Sequence, residues 1–333
     1  MFCHRSECYG PPSPSISLES IKSLLNYLPS IQDEQMAAPG ADVAISPFEL
    51  NRPQDYALWR ERKLSEYPAR LEDLIVEIRD PHRLTPSEVE AVRVRCRRAN
   101  MAIYVSPNRT DPDRELPRRL GAQLGLIRLD HNLGADQDAI SALTVRSDAL
   151  HQGYIPYSNR PITWHTDGYY NPPDRRIFGM LLHCVRPAAV GGENHLLDHE
   201  IAYIVLRDRN PEFIRALRHP QAMTIPANRM NGEELRPDCP GPVFSVHPAG
   251  HLHMRYTDRT RSIHWRDDPL TTAAVSCLKE ILHGRTAWHF SARLEAGWGL
   301  VTNNTLHTRT GFEDGERQRL LYRARYYDRI ADT

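Results

Sequence analysis

The chain has 333 residues, 40% of them hydrophobic and 25% charged, enough apolar side chain for a substantial core and a length compatible with one large β domain or two smaller ones. Its 42 Lys plus Arg balance 42 Asp plus Glu, so it lacks the basic excess of a general nucleic-acid or anionic-membrane binder. No apolar run approaches a bilayer span, Met1 to Ser30 has no secretory pattern, and the six cysteines show no paired spacing; together these predict a cytoplasmic protein with free thiols.

Residues 1–46 read as a flexible N-terminal extension, with Pro11-Pro12-Ser13-Pro14 as a loop signal and Ile21, Leu24, Leu25 and Leu28 at helical spacing over a short piece. Met36 offers an alternative translational start, and Cys3, His4 and Cys8 are incidental rather than a metal site. Residues 47–333 are expected to form one domain. A helix is predicted over residues 54–67. Thr85-Pro86-Ser87-Glu88 is a capping box with proline at the first helical position. Val89, Val92, Cys96 and Ala99 follow on one buried face, with Arg93, Arg95, Arg97 and Arg98 as solvated surface. A strand over residues 101–106 and a helix over 114–125 come next.

From Leu126 the pattern turns to strands, at residues 143–146, 162–166 and 177–185. Gly191-Gly192-Glu193-Asn194-His195-Leu196-Leu197-Asp198 reads as a turn, a strand and a helix cap. The helix from His199 turns Ile201, Ile204 and Val205 inward, and Asn210-Pro211 caps another. Strands return at 222–226, 243–247 and 252–256. Asp268-Pro269 opens a helix with Val275, Leu278 and Leu282 on one face, closed by Gly284. The last strands are 287–294, 299–303 and 319–327. Many strands with a few inserted helices, and no glycine-rich phosphate loop, disfavour a doubly wound sheet. They predict an α+β, mainly β fold with a jelly-roll core and helices packed outside.

The chemistry starts at Trp164-His165-Thr166-Asp167. On a strand, residues two apart share a face, so His165 and Asp167 would be presented together. That is two thirds of a two-His-one-carboxylate triad. A lone His-x-Asp is common, and its weight comes from what lies downstream. His307 follows 142 residues later, so only the fold can unite it with His165. A strand ending at Asn303-Asn304 and turning into His307 would place that ring at a sheet edge or cavity mouth. Arg319, Arg323 and Arg325 share one face of the last strand. Buried arginine is costly unless paired, and its fork matches a carboxylate. An anionic co-substrate is one reading of this cluster, and structural ion pairing is expected for at least one member. His251-x-His253 and the i, i+4 pair His195/His199 have no carboxylate and arginine partners in the needed order.

The set His165-x-Asp167, Gly191-Gly192-Glu193, Asn303-Asn304-x-x-His307-x-Arg309-Thr310-x-Phe312 and Arg319-x-x-x-Arg323 resembles the taurine dioxygenase (TauD/TfdA) family from about Met101 to Tyr327. The resemblance implies a double-stranded β-helix (cupin-like) core and an Fe(II)- and 2-oxoglutarate-dependent oxygenase. His165, Asp167 and His307 would ligate iron, Arg319 would grip the distal carboxylate of 2-oxoglutarate, and Arg323 would lie near co-substrate or substrate. Asn194 stands where the family often has threonine against 2-oxoglutarate, and its amide can also donate. Asn303 stands where the family often has aspartate, with little effect expected. With O2, such a site hydroxylates a substrate and releases succinate and CO2. Asp167 favours hydroxylation over halogenation, since halogenating relatives leave that position to a small residue.

The substrate side is expected at Tyr157, Asn159, Tyr169, Asn171 and Arg261, where aromatics are either packed core or pocket wall. These residues with Arg323 suggest a small polar molecule bearing an anionic group. No nucleic-acid or membrane partner is expected, and self-association into a homo-oligomer is left open. The alternatives are a metal-dependent oxygenase of this fold that does not use 2-oxoglutarate, and a non-catalytic β-helix binding protein.

Overall fold

The computed structural model describes residues 46–107, 112–131, 138–147, 154–230, 233–259, 263–284 and 286–333. The readings made for residues 1–45, and the substrate role of Arg261, lie outside the described residues.

Ten strands carry the architecture: β1 (Ile75–Glu77), β2 (Met101–Val105), β3 (Ser141–Leu143), β4 (Ile162–His165), β5 (Gly179–Arg186), β6 (Asn194–Leu197), β7 (Phe290–Ala292), β8 (Trp298–Thr302), β9 (Leu306–Arg309) and β10 (Leu320–Tyr326). Six form a sheet in the order β1-β2-β8-β5-β10-β3, and four form a second in the order β7-β6-β9-β4. All neighbours are antiparallel except β1 and β2. Short two- and three-stranded pieces, such as residues 223–225 with 239–241 and 264–265, flank this pair.

The alternation of side chains fixes what each sheet face meets. Met101, Ile103, Met180, Leu182, Leu300 and Leu321 of the large sheet join Leu196, Phe290 and Ala292 of the small one in a core between the sheets. Their sequence neighbours Ala102, Tyr104, Leu181, Val301, Tyr322 and Ala324 pack on the other face against Val92, Cys96, Leu116 and Leu120. Those four belong to helices α2 (Pro86–Ala99) and α3 (Leu116–Gln123); α1 is Pro53–Ser65. Trp164, Leu197 and Leu306 point to the outer face of the small sheet, under α4 (His199–Arg209), α5 (Pro211–Leu217) and α6 (Pro269–His283). His165 and His307, one residue on from Trp164 and Leu306, therefore face inward. Arg323 and Arg325 share the inward face of β10 with Leu321, as the strand period requires, while Arg319 lies just before the strand, beside an irregularity of register at Leu320.

Capping sites chosen from sequence make their bonds. Thr85 accepts from the Glu88 amide while Glu88 accepts from the Thr85 amide, and Asp198, Asn210 and Asp268 each accept from the first turn of their helices. The arginines of α2 lie at its surface, where Arg93 meets Asp332 and Arg97 meets Glu90.

Four expectations need correction. The strand predicted over 143–146 is β3, ending at Leu143, because its register with β10 pairs Ser141–Leu143 with Arg323–Leu321 and a turn from Thr144 N to Ala142 O closes it. Gly284 ends α6 without a left-handed residue, at φ −72°; glycine suits the position because a Cβ would stand 2.7 Å from the Glu280 carbonyl. His195 lies in β6 and His199 opens α4, so they do not share a helix face. His307 lies within β9 rather than in a turn; the turn is residues 303–305, with Asn304 left-handed at φ 56°, and it carries the chain from the large sheet to the small one.

Candidate functional site

β4 and β9 pair with His165 directly opposite His307. Antiparallel pairing thus closes a gap of 142 residues and sets the two ring centroids 4.1 Å apart. Asp167 follows the end of β4, with its Oδ1 4.0 Å from His165 Nε2. One ligand atom from each of the three residues lies within 4.8 Å of the others, and all three residues are buried.

Hydrogen bonding fixes which imidazole nitrogen is free. His165 Nδ1 is 2.9 Å from the Thr163 carbonyl, and His307 Nδ1 is 3.0 Å from the Thr305 carbonyl. A carbonyl only accepts, so each Nδ1 carries the proton and each Nε2 keeps its lone pair. Burial, then the neighbouring His307, pushes His165 down to about 3, and burial lowers His307 as well. Burial alone would raise Asp167, but the charges of Arg323 and Arg325 hold it well below the usual carboxylate range. Its Oδ2 is buried without a hydrogen-bond partner. Two neutral imidazoles and an under-bonded carboxylate on one spot are a donor set fitted to a divalent transition metal.

The Asp167 turn is braced from the crossing turn opposite. Asn304 Oδ1 accepts from the Asp167 amide at 2.8 Å, and its Nδ2 donates to the carbonyls of Asp167 and Ile177 at 2.9 and 2.8 Å. The Asn303-Asn304 pair was visible in the sequence, but its bracing role depends on a left-handed turn that composition does not announce.

The three arginines separate by partner. Arg325 is tied to Asp130 and donates to the Tyr170 hydroxyl at 2.8 Å, a structural pair. Arg323 Nη1 lies 3.3 Å from Asp167 Oδ1, bridging the two sheets. Arg319 is 4% exposed; its backbone amide donates to Asp314 Oδ1, and no hydrogen bond or ion pair to a described residue holds its guanidinium. Burial lowers its pKa. On β6, Asn194 is also buried, with Nδ2 unpartnered. Buried donors without acceptors are rare and mark a place where a ligand completes the set.

The glycine pair before Asn194 is explained by close approach. A Cβ on Gly191, at φ 74°, would stand 2.2 Å from the Gly311 carbonyl. Thr310 then closes the contact, accepting from the amides of Gly192 and Glu193 at 3.0 Å each and donating to Glu193 Oε2 at 2.6 Å.

A small cavity of about 10 Å³, room for a single water, borders Asp167 and is lined by Gly168, Tyr169, Asn171, Arg176, His253 and Arg255. Tyr169 is held by Arg259, and Asn171 Nδ2 donates to the Arg175 carbonyl at 2.8 Å, shaping the wall. Tyr157 is buried, with Arg146 5.7 Å from its ring. The Asn159 side chain is exposed, while its carbonyl accepts from the Phe312 amide at 3.1 Å. Sequence reasoning missed Arg255, a buried strut that donates to the carbonyls of Tyr169, Met223 and Cys239 at 2.7, 3.0 and 2.6 Å. No helix among the described residues is long and apolar enough to cross a membrane.

Comparison with known proteins agrees with this geometry. The family described as taurine catabolism dioxygenase TauD, TfdA matches residues 79–325. A uridine-5'-phosphate dioxygenase of an Amycolatopsis species is 31% identical over 173 residues, covering 49% of this chain and 60% of that protein. A protein of the same name from a Streptomyces species is 28% identical over 226 residues, covering 61% of this chain and 77% of that one. Among solved structures, a taurine dioxygenase from Burkholderia xenovorans aligns with a TM-score of 0.52 at 17% identity, over 78% of this chain and 89% of that one. The non-haem iron oxygenase OrfP, in complex with Fe, succinate and (3S)-hydroxy-L-Arg, aligns with a TM-score of 0.54 at 16% identity, over 74% and 82%. With about three quarters of its length inside the family's bounds, the chain belongs to the TauD/TfdA dioxygenase family.

Proposed function

We propose that the protein is an Fe(II)- and 2-oxoglutarate-dependent dioxygenase that hydroxylates a small polar, anionic molecule. Residues 47–333 form its one domain, on a double-stranded β-helix. The observation that carries this reading is the convergence of His165, Asp167 and His307 within 4.8 Å, with both Nδ1 protons committed to carbonyls.

In this reading the two Nε2 lone pairs and the Asp167 carboxylate hold iron on one face. Bound there with 2-oxoglutarate and O2, the metal supplies the oxidising power for C–H hydroxylation, with succinate and CO2 as co-products. The protein's part is positioning and exclusion of water. Thr163 and Thr305 carbonyls keep the imidazoles in the ligating tautomer. Asn304 holds the Asp167 turn. Arg319 receives the distal carboxylate of 2-oxoglutarate, and Asn194 Nδ2 donates to the same molecule. Arg323 keeps Asp167 ionised and faces the bound anions. Tyr169 and Asn171 follow Asp167 directly and would form the near side of the substrate site, with Arg176 close by as a cation suited to an anionic substrate. The curated relatives are named for uridine 5'-phosphate, a substrate of that charge.

Anaerobic addition of Fe(II) and 2-oxoglutarate to the purified protein is expected to produce the visible metal-to-oxoglutarate absorption band, and O2 is expected to release succinate. Absence of both sinks the reading. Retention of full activity in Arg319→Ala points instead to an oxygenase that does not use 2-oxoglutarate.

A further inference from the structure

Arg309, two residues past His307, is absorbed by no role so far. It is 5% exposed, and its guanidinium donates to the carbonyls of Pro156, Ser158 and Arg160 at 3.4, 2.7 and 2.5 Å. Those carbonyls belong to the segment just before β4, which holds Tyr157 and leads into His165. The Arg309 guanidinium carbon also lies 4.9 Å from the centroid of the Phe312 ring, and the guanidinium carbon of Arg319 lies 5.0 Å from the same centroid. Phe312 itself is 6% exposed, and its amide donates to the Asn159 carbonyl at 3.1 Å. One aromatic ring therefore touches the arginine that faces the co-substrate and the arginine that clamps the segment, while its backbone is tied to that segment directly.

We propose that Phe312 is a positioning residue coupling Arg319 to residues 155–161, so that an anion on Arg319 orders the segment beside the metal strand. The proposal rests on the reading of Arg319 as the 2-oxoglutarate arginine. Its physical basis is the charge imbalance around the ring. Arg309 and Arg319 lie against one ring, Arg323 is paired with Asp167 at 3.3 Å, and neither ring-bound guanidinium has an ion pair among the described residues. A ring face carries negative potential and partly screens two cations that have no carboxylate between them. A dicarboxylate on Arg319 offsets the remaining repulsion and so tightens the hold that Arg309 already has on its three carbonyls and Phe312 on both guanidiniums. Substrate then meets an ordered segment only after the co-substrate has bound.

The test is hydrogen exchange of residues 154–161 in the Fe(II)-loaded protein under anaerobic conditions, with and without 2-oxoglutarate, beside its dissociation constant from the absorption band. In the wild type, 2-oxoglutarate is expected to slow exchange there about ten-fold. Phe312→Leu is expected to weaken 2-oxoglutarate binding by about five-fold, the scale of one cation–π contact, and to abolish the protection. Phe312→Tyr restores both, and Arg309→Lys, which keeps the charge without the fork, loses the protection while retaining 2-oxoglutarate affinity. A bound co-substrate that leaves exchange unchanged in the wild type overturns the proposal, as does Phe312→Leu with protection intact and only a lower melting temperature. An absent band in the wild type is a separate failure, of the co-substrate assignment itself.

Discussion

Two of the buried charge clusters among the described residues are built on opposite principles. In the first, Lys63 of α1 is 5% exposed and sits 2.6 Å from Asp198 and 2.5 Å from Glu200. Asp198 Oδ1 also accepts from the Glu200 amide and from Asn100 Nδ2. Arg329, close by, donates to Asn100 Oδ1, so cations and carboxylates are matched. In the second, Arg309 and Arg319 flank the Phe312 ring, and of Arg309, Arg319 and Arg323 only Arg323 has a carboxylate partner, Asp167, among the described residues. The matched cluster ties α1 and α4 to the sheets. The unmatched one lacks negative charge that a ligand can bring. A buried ion pair is weak evidence for stability, but breaking one is costly, whereas an unpaired buried cation is a site prepared for an anion.

The largest expected effect follows for the matched cluster. Lys63→Ala leaves two buried carboxylates facing each other and should cost about 3–5 kcal/mol in urea unfolding, with 2-oxoglutarate affinity of the folded protein unchanged. Arg319→Ala should behave in the opposite way. Losing a charged partner of a buried carboxylate is worth about 3 kcal/mol, so the KM for 2-oxoglutarate should rise about 100-fold or more. The ligand-free protein should melt no lower than wild type, because the variant removes an uncompensated buried cation. If Arg319→Ala instead unfolds the protein and Lys63→Ala leaves stability intact, the contrast between the clusters is wrong.

Ligand and acid sharpen the same contrast. At 100 times its dissociation constant each ligand contributes about 2.7 kcal/mol, so Fe(II) followed by 2-oxoglutarate should stabilise the wild type by about 5 kcal/mol, seen as a rise in melting temperature that chelation reverses. Arg319→Ala should keep the metal's share of that rise and lose the co-substrate's. For acid, Lys63 overcomes the burial that would raise Glu200 and holds that carboxyl down at about 2. The unfolded chain takes up this proton first, near an ordinary pKa of about 4.3. Its contribution is therefore fully present above that value and is lost as pH falls towards about 2. Glu200→Gln should flatten the decline in unfolding free energy over that window; an unchanged slope would show that Glu200 contributes nothing to it.

How far the chain could be read in advance differs between the same two places. His165, Asp167, His307, Arg319 and Arg323 could be nominated from sequence because those residue types in that order are rare in combination, although β4 ends at His165 and β10 begins at Leu320, so Asp167 and Arg319 lie just outside the strands the spacing assumed. Helix caps at Thr85, Asp198, Asn210 and Asp268 were legible because capping is local. Lys63 was not, since a lysine on a weakly amphipathic helix reads as surface, and its burial depends on two carboxylates more than 130 residues away. Arg309 and Arg255 were likewise hidden, because their acceptors are backbone carbonyls, which leave no residue-type signal. The register that sets His165 opposite His307 is a property of the pairing of β4 with β9 and cannot be read from either strand alone.

Asn194 gives the smallest effect and the finest test of the unmatched site. Its Nδ2 is buried without a partner. A neutral hydrogen bond to a ligand contributes about 0.5–1.5 kcal/mol, so Asn194→Ala should raise the KM for 2-oxoglutarate about 2- to 10-fold while kcat stays nearly constant. Asn194→Thr supplies one hydroxyl donor on a shorter side chain and should recover most of that loss. The ligand-free protein should gain slight stability from Asn194→Ala, because a donor stranded away from water is removed. A loss of stability with unchanged KM would mean that the amide serves the packing of β6 rather than the co-substrate. That outcome would leave Arg319 as the sole unpartnered donor argument for an anion at this place.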